Sequence, residues 1–186
     1  MSAPIPPNEQ TRLEALRSYG ILDTDPEEEF DALTRLAAYL CGTPIALISL
    51  VDATRQWFKS KVGLELAETT RDVSFCAHTI LQSGPLVVPD THEDARFSQN
   101  PLVTSNPNIR FYAGMPLQSE KGLGLGSLCV IDKTPRQLAP EQIQGLEVLG
   151  RAVVTHLQLR RTLQLLDDYR LHTNRLAAEG NASSVH

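Results

Sequence analysis

Three cysteines in 186 residues are too few, and odd in number, for a disulfide framework. They suit a reducing compartment, so the chain is expected in the cytoplasm with free, buried thiols. Long apolar runs are also missing. The longest are about eight residues, against the roughly 20 that a membrane-spanning helix needs, so no membrane partner is expected. Met1 to Gln10 is proline-rich, lacks an apolar segment and does not read as a secretory signal. Basic residues are outnumbered, 17 Lys and Arg against 22 Asp and Glu, for a net charge of −5. That argues against nucleic acid, whose sequence-independent binding needs a clustered basic surface. There is no P-loop, G-x-S-x-G elbow or H-E-x-x-H. No further Cys or His follows Cys76 and His78 at zinc spacing, so no metal is expected. Asp90-Thr91-His92-Glu93-Asp94 lacks the glycine and terminal Glu of a calcium loop. Gly122, Gly124 and Gly126 do not open a helix, so they read as a hairpin turn and a closely packed strand.

What is present is an ordinary globular composition, 41% hydrophobic and 21% charged. Pro4 to Pro7 reads as an extended arm. Helices are expected over Glu9 to Tyr19 and from Asp25-Pro26-Glu27-Glu28 to Gly42, the second with Asp25 as cap and a stripe of Phe30, Leu33, Leu36, Ala37 and Leu40. Ile45–Val51 and Arg55–Val62 read as a hairpin, Glu68 to Asp72 as a polar loop, and Ser74 to Gln82 as a short helix. Leu86–Val88 is a short strand. Thr91 to Asn106 is a loop longer than structural need usually explains, with room for a helical turn near Asp94 to Phe97. Arg110–Leu117 and Leu123–Ile131 form a second hairpin. Adjacent hairpins between helices imply an α+β design with a largely antiparallel sheet. The expected divisions are an arm over 1–7, a folded domain over 8–160, a helical extension over 161–179 and a disordered tail over 180–186.

From Glu141 to about Leu176 there is no proline and helical spacing persists. Ile143, Leu146, Val153 and Leu157 suit docking onto the domain. A second stripe, Leu149, Ala152, His156, Leu159, Leu163 and Leu166, alternates spacings of three and four. It reads as the seam of a parallel homodimer, with a solvated helix end as the alternative. His156 would be the polar position that fixes register, bringing two imidazoles together and weakening the dimer as pH falls through about 6.5.

The segment Arg71-Asp72-Val73-Ser74-Phe75-Cys76-Ala77-His78 is densest in reactive groups. Cys76 and His78 are two apart, so on a helix they do not face each other and make a poor thiolate–imidazole pair. Packing or pocket lining is the plainer reading. Cys41 and Cys129 are expected to be buried and inert. Alternation would put Phe111 on one face of its strand and Arg110 and Tyr112 on the other. Arg110, beside the long loop, reads as an anion contact or a surface ion pair.

The blocks NEQTRLEALRSYGILDTDPEEEFDALTRLAAYLCGTPIALISLVD, RQWFKS, SFCAHTIL, VVPDTHEDARFSQNPLV, IRFYAGMPL and GSLCVIDKTPRQL, in that order and spacing, resemble the GAF domains at the N-termini of bacterial sensor histidine kinases and diguanylate-signalling enzymes. The resemblance implies an antiparallel sheet of five or six strands with helices on both faces and a long C-terminal helix. It implies an unidentified small-molecule ligand, a homodimer through the terminal helices, and a kinase or other signalling output, with no catalysis in this chain. The implied ligand site is Phe75, Cys76, His78, Asp90, Arg110, Phe111 and Met115. The cofactor is unknown. Phytochrome-like relatives attach a bilin through a cysteine directly before a histidine, and Ala77 separates the two here, which argues against a covalent bilin. The free methionine sulfoxide reductases use one cysteine near the strand of Arg110-Phe111-Tyr112 and another near Cys76. Only the second is present, so a thiol-dependent reductase stays an alternative without its nucleophile. A ligand-free dimerisation module is the other alternative.

Overall fold

The computed structural model describes residues 2–182, with side chains described through Arg175. Its elements are α1 (Glu9–Arg17), α2 (Glu28–Cys41), β1 (Ile45–Val51), β2 (Arg55–Val62), β3 (Glu68–Thr70), α3 (Cys76–Thr79), β4 (Leu86–Val88), α4 (Pro101–Thr104), β5 (Phe111–Gln118), β6 (Gly124–Asp132) and α5 (Pro140–Ala182). The strands form one open antiparallel sheet in the order β3-β2-β1-β6-β5-β4. This is the α+β design that the hairpins imply.

Both central strands are buried along their whole length, because both faces of the sheet are covered. Alternation divides their side chains between two cores. Ala46, Ile48, Leu50, Leu125, Leu128 and Val130 pack towards α2 and α5. Ile45, Leu47, Val51, Cys129 and Ile131 pack towards α3 and the long loop. β6 lies so close to β1 that a Cβ on Gly126 would fall 1.9 Å from the Ser49 carbonyl oxygen. The strand pattern therefore needs a glycine there.

Several expected boundaries move. α2 begins at Glu28, and Glu27 rather than Asp25 holds the cap position. Gly42 ends the helix in the left-handed region at φ 63°, a conformation that costs glycine little. Leu36 does not join the buried stripe and is 49% exposed. The polar loop at Glu68 is instead an edge strand paired with β2. The long loop turns at Asp94–Phe97, where the Ser98 amide donates to the Asp94 carbonyl at 2.9 Å, and it also carries α4, where Asn100 accepts from the Leu102 amide and Pro101 opens the helix.

Charge pins α1 to the sheet. Arg12, 1% exposed, donates to the Gly124 carbonyl at 3.1 Å and to Glu9. Arg71 reaches the same carboxylate and the Asp52 carbonyl. Burial alone would push the Glu9 carboxyl up, but the two guanidiniums hold it down at about 2.

Along α5, Leu146, Leu149, Val153 and Leu157 face the core. Two expected seam residues are thereby corrected. Leu149 is buried in its own domain, and His156 lies edge-on to Phe30 of α2 with ring centroids 6.1 Å apart. The helix continues through Gly180 to Ala182, and residues 183–186 of the expected tail lie outside the described residues.

Candidate functional site: a closed apolar pocket beside two thiols

On the face away from α5, strands β1, β2, β5 and β6 form the floor of a cavity of about 30 Å³. Leu47, Phe58, Ile109 and Tyr112 line it from the sheet side, and Phe75 and Cys76 from the start of α3. Leu64 and Leu66 come from the β2–β3 connection, and Leu102 and Pro107 from the long loop. No charged side chain lines it; Gln56, Thr69, Cys76 and Tyr112 carry its polar atoms. That volume holds about two waters.

The chain reaches this shape through short polar ties. Ser74 donates to Gln56 and accepts the Ala77 amide at 3.0 Å, which fixes the entry to α3. Asn100 donates to the Val73 carbonyl at 2.9 Å, holding the long loop against that entry. Phe97 from the loop stacks on Phe75 with centroids 4.2 Å apart.

Beneath the apolar layer lies a buried polar cluster. Tyr112 Oη is 2.6 Å from Thr79 Oγ1, 3.4 Å from Ser127 Oγ and 3.5 Å from Cys76 Sγ. Cys76 Sγ lies 3.8 Å from Cys129 Sγ. Burial pushes the Cys76 thiol up, but hydrogen bonding from Cys129, Ser127 and Tyr112 outweighs it and brings the group down to about 7. Contact with Cys76, together with burial, pushes the Cys129 thiol up. Burial also raises Cys41, to about 11. Among the described residues no group of three or more His, Cys, Asp or Glu could hold a metal.

The structure brings together only part of the expected ligand set. Phe75 and Cys76 line the cavity. His78 is buried nearby, edge-on to Phe97 at 4.8 Å, but it is not in the wall. Asp90 and Arg110 pair with each other through two hydrogen bonds of 2.9 and 2.6 Å, outside the cavity lining. Phe111 and Met115 are on the opposite face of β5. Phe111 is in the core under α2 and α5, and Met115 lies against Gly150 of α5. The physical reason is strand parity, which makes Tyr112 the residue of β5 that faces the pocket. Sequence reasoning missed Tyr112, Phe58, Leu47, Gln56 and Ile109 as lining. The alternation of β1 and β5 carried that signal.

The family model described as the GAF domain matches residues 25–157. The chain belongs to the GAF family. A cyclic di-GMP phosphodiesterase of Pseudomonas aeruginosa is 40% identical over 181 residues, covering 97% of this chain and 31% of that protein. This GAF chain thus spans about a third of the curated relative's length. Among solved structures, the GAF domain of an Acinetobacter phosphoenolpyruvate-protein phosphotransferase superposes with a TM-score of 0.60 at 15% identity, covering 83% of this chain and 97% of that one. A free methionine-R-sulfoxide reductase from Neisseria meningitidis, in complex with its substrate, superposes at 0.59 and 15% identity, covering 88% and 98%. At such identities these likenesses show the fold. Among the described residues, no helix is long and apolar enough to cross a membrane.

Proposed function

We propose that this GAF domain is a non-catalytic sensory module of the cytoplasm. It takes an uncharged small molecule in the pocket beside Cys76 and Tyr112 and passes the change through α5 to a second copy and an output domain. The 40% identical relative is named for cyclic di-GMP hydrolysis, and an output of that kind joined to α5 is the reading this likeness supports. The lining excludes the expected anion contact, since Arg110 is held by Asp90. A charged ligand would lose its hydration there without an opposite charge in return.

The observation that carries the reading is a connection from the pocket wall to α5. β2 bulges against β1, with Ile48 opposite Ser60 and Ser49 opposite Phe58, so Lys59 is the extra residue. Phe58 lines the cavity. Lys59 turns to the other face and donates to Glu27 at 2.6 Å, to the Asp25 carbonyl at 2.6 Å and to Thr24 at 2.9 Å. Glu27 also accepts from Arg160 of α5 at 3.0 Å. A molecule that displaces Phe58 therefore pulls on a partly buried ion cluster that holds the signalling helix.

One observation favours a second reading, the ligand-free dimerisation module: the cavity is nearly filled by its own side chains. A larger ligand must part Leu64 and Leu66 from Leu102 and Pro107. Native mass spectrometry of the purified protein separates the two readings. One uncharged molecule per chain, released on denaturation, is expected. A bare chain mass under gentle conditions favours the filled module.

A further inference from the structure

The buried thiols have no part in the signalling route above. Two sulfurs in contact, 3.8 Å apart, lie under a cavity to which one of them belongs. Cys76 is 1% exposed and Cys129 is fully buried. They are far apart in sequence, on α3 and β6. The surrounding hydroxyls are unusual for a sheet core. Ser49 and Ser127 are register partners on β1 and β6, Tyr112 and Thr79 close the cluster, and the buried Ser49 hydroxyl has no nitrogen or oxygen partner and acts on the Cys76 thiol. Buried hydroxyls are costly unless they satisfy one another or something that enters. Packing alone would be served better by Val or Ala at these positions.

We propose that Cys76 and Cys129 form a peroxide-responsive pair that closes to an intramolecular disulfide between α3 and β6. The pocket admits the oxidant by size, since its volume suits a molecule of two heavy atoms such as hydrogen peroxide. In the first step the Cys76 thiol gives up its proton as its sulfur attacks one peroxide oxygen, the O–O bond breaks, and the departing hydroxide collects that proton and leaves as water. Cys76 is then a sulfenic acid. In the second step the Cys129 sulfur attacks the Cys76 sulfur, the S–S bond forms, and the hydroxyl leaves with the Cys129 proton as a second water. Two thiols and one hydrogen peroxide give one disulfide and two waters. The lowered Cys76 thiol favours its role as the attacking sulfur. Cys41, the last residue of α2, is in the other core and is pushed up instead. The new bond would fasten the N-terminal end of α3 to the middle of the sheet and fix the side of the cavity that Phe75 and Cys76 form. This inference does not depend on what the pocket binds.

The test treats the full chain, natively folded, with equimolar hydrogen peroxide. The protein is then denatured in an alkylating agent and its mass and peptides are read. The expected product takes up one alkyl group, at Cys41, where the reduced chain takes up three, and it has a Cys76–Cys129 linked peptide. Loss of the Cys76 thiol should run at least about tenfold faster than loss of the Cys41 thiol. Cys129→Ser keeps the volume and removes the second sulfur. It should halt at the Cys76 sulfenic acid, which a cyclic 1,3-dione captures. Equal rates at Cys76 and Cys41 would place the chemistry in the unfolded chain and overturn the proposal. A Cys76 that stays reduced, or a Cys129→Ser protein that never yields the captured sulfenic acid, would overturn it as well. If Cys129→Ser fails to fold, the linked peptide and the rate ratio in the unaltered chain still decide.

Discussion

Replacing both Leu159 and Leu163 by Asp is expected to shift the protein from dimer to monomer while the sheet stays folded. α5 touches its own domain at Arg160, which donates to the Gly20 carbonyl at 2.9 Å, at Arg161, over the Tyr19 ring at 5.3 Å, and at Gln164, beside Gly20. The helix runs on to Ala182, roughly 25 Å further. Leu159, Leu163 and Leu166 are each just over half exposed, at 52%, 52% and 53%. At about 100° per residue, Leu159 and Leu166 lie on the side of α5 away from Val153 and Leu157. With Leu149 and His156 committed to the domain, the proposed seam reduces to this distal leucine row. Covering the exposed half of each leucine is worth about 1–1.5 kcal/mol, so six across a pair give roughly 6–9 kcal/mol. That is within the range of association costs, about 4–15 kcal/mol, so the seam is finely balanced. The double substitution removes four of the six and adds four carboxylates. The dissociation constant should rise at least about a thousandfold. Equilibrium sedimentation reads the mass, and circular dichroism confirms the fold. An unchanged dimer mass would move the interface elsewhere, for instance to α1.

Glu27→Ala is expected to cost about 2–3 kcal/mol of stability, and Lys59→Met less than about 1 kcal/mol. The asymmetry follows from burial. The Lys59 side chain is fully buried, whereas Glu27 keeps 31% of its exposure. Deleting the carboxylate strands an ammonium in the core, which typically costs about 3–5 kcal/mol. The Thr24 hydroxyl and Asp25 carbonyl remain as acceptors and lower that figure. Replacing the ammonium by an apolar side chain of similar length removes the problem and leaves Glu27 paired with Arg160. For a chain of this size, Glu27→Ala should lower the melting temperature by about 4–12 °C. Burial acts to raise the Glu27 carboxyl, but Lys59 and Arg160 pull it below its ordinary 4.5. Its contribution is thus complete above about pH 4.5 and is lost on further acidification. Urea titrations of the two variants give the comparison, and equal losses would contradict the burial argument.

The sequence shows the sheet more clearly than the site. Ile45–Val51 and Leu123–Ile131 read as strands because each is mostly apolar, Ser49 and Ser127 apart, as burial of both faces requires. The family blocks add the helical layer. Edge strand β3 did not read as a strand, since Glu68-Thr69-Thr70 is polar and pairs on one side only. The site was legible where chemistry clusters, at Phe75 and Cys76. The family pattern points to Phe111, whereas alternation puts Tyr112 on the pocket face and Phe111 in the opposite core. The contact between Cys76 and Cys129 had no signature in the sequence, because 53 residues separate them and only the fold closes that distance. Spacings of three and four describe both an outer seam and an inner face of one helix, so they do not tell that His156 packs on Phe30. Which face is covered depends on where α2 lies.

The central claim is that occupancy of the pocket is felt in α5. Amide hydrogen exchange measures it most directly, comparing protein as purified with protein stripped of small molecules by unfolding in urea, dialysis and refolding. The account predicts a change in protection around β1, β2 and α3, and also along α5 from Leu157 to Leu166, where Arg160 joins the Glu27–Lys59 cluster. Two preparations that differ in pocket occupancy yet exchange identically along α5 would contradict it.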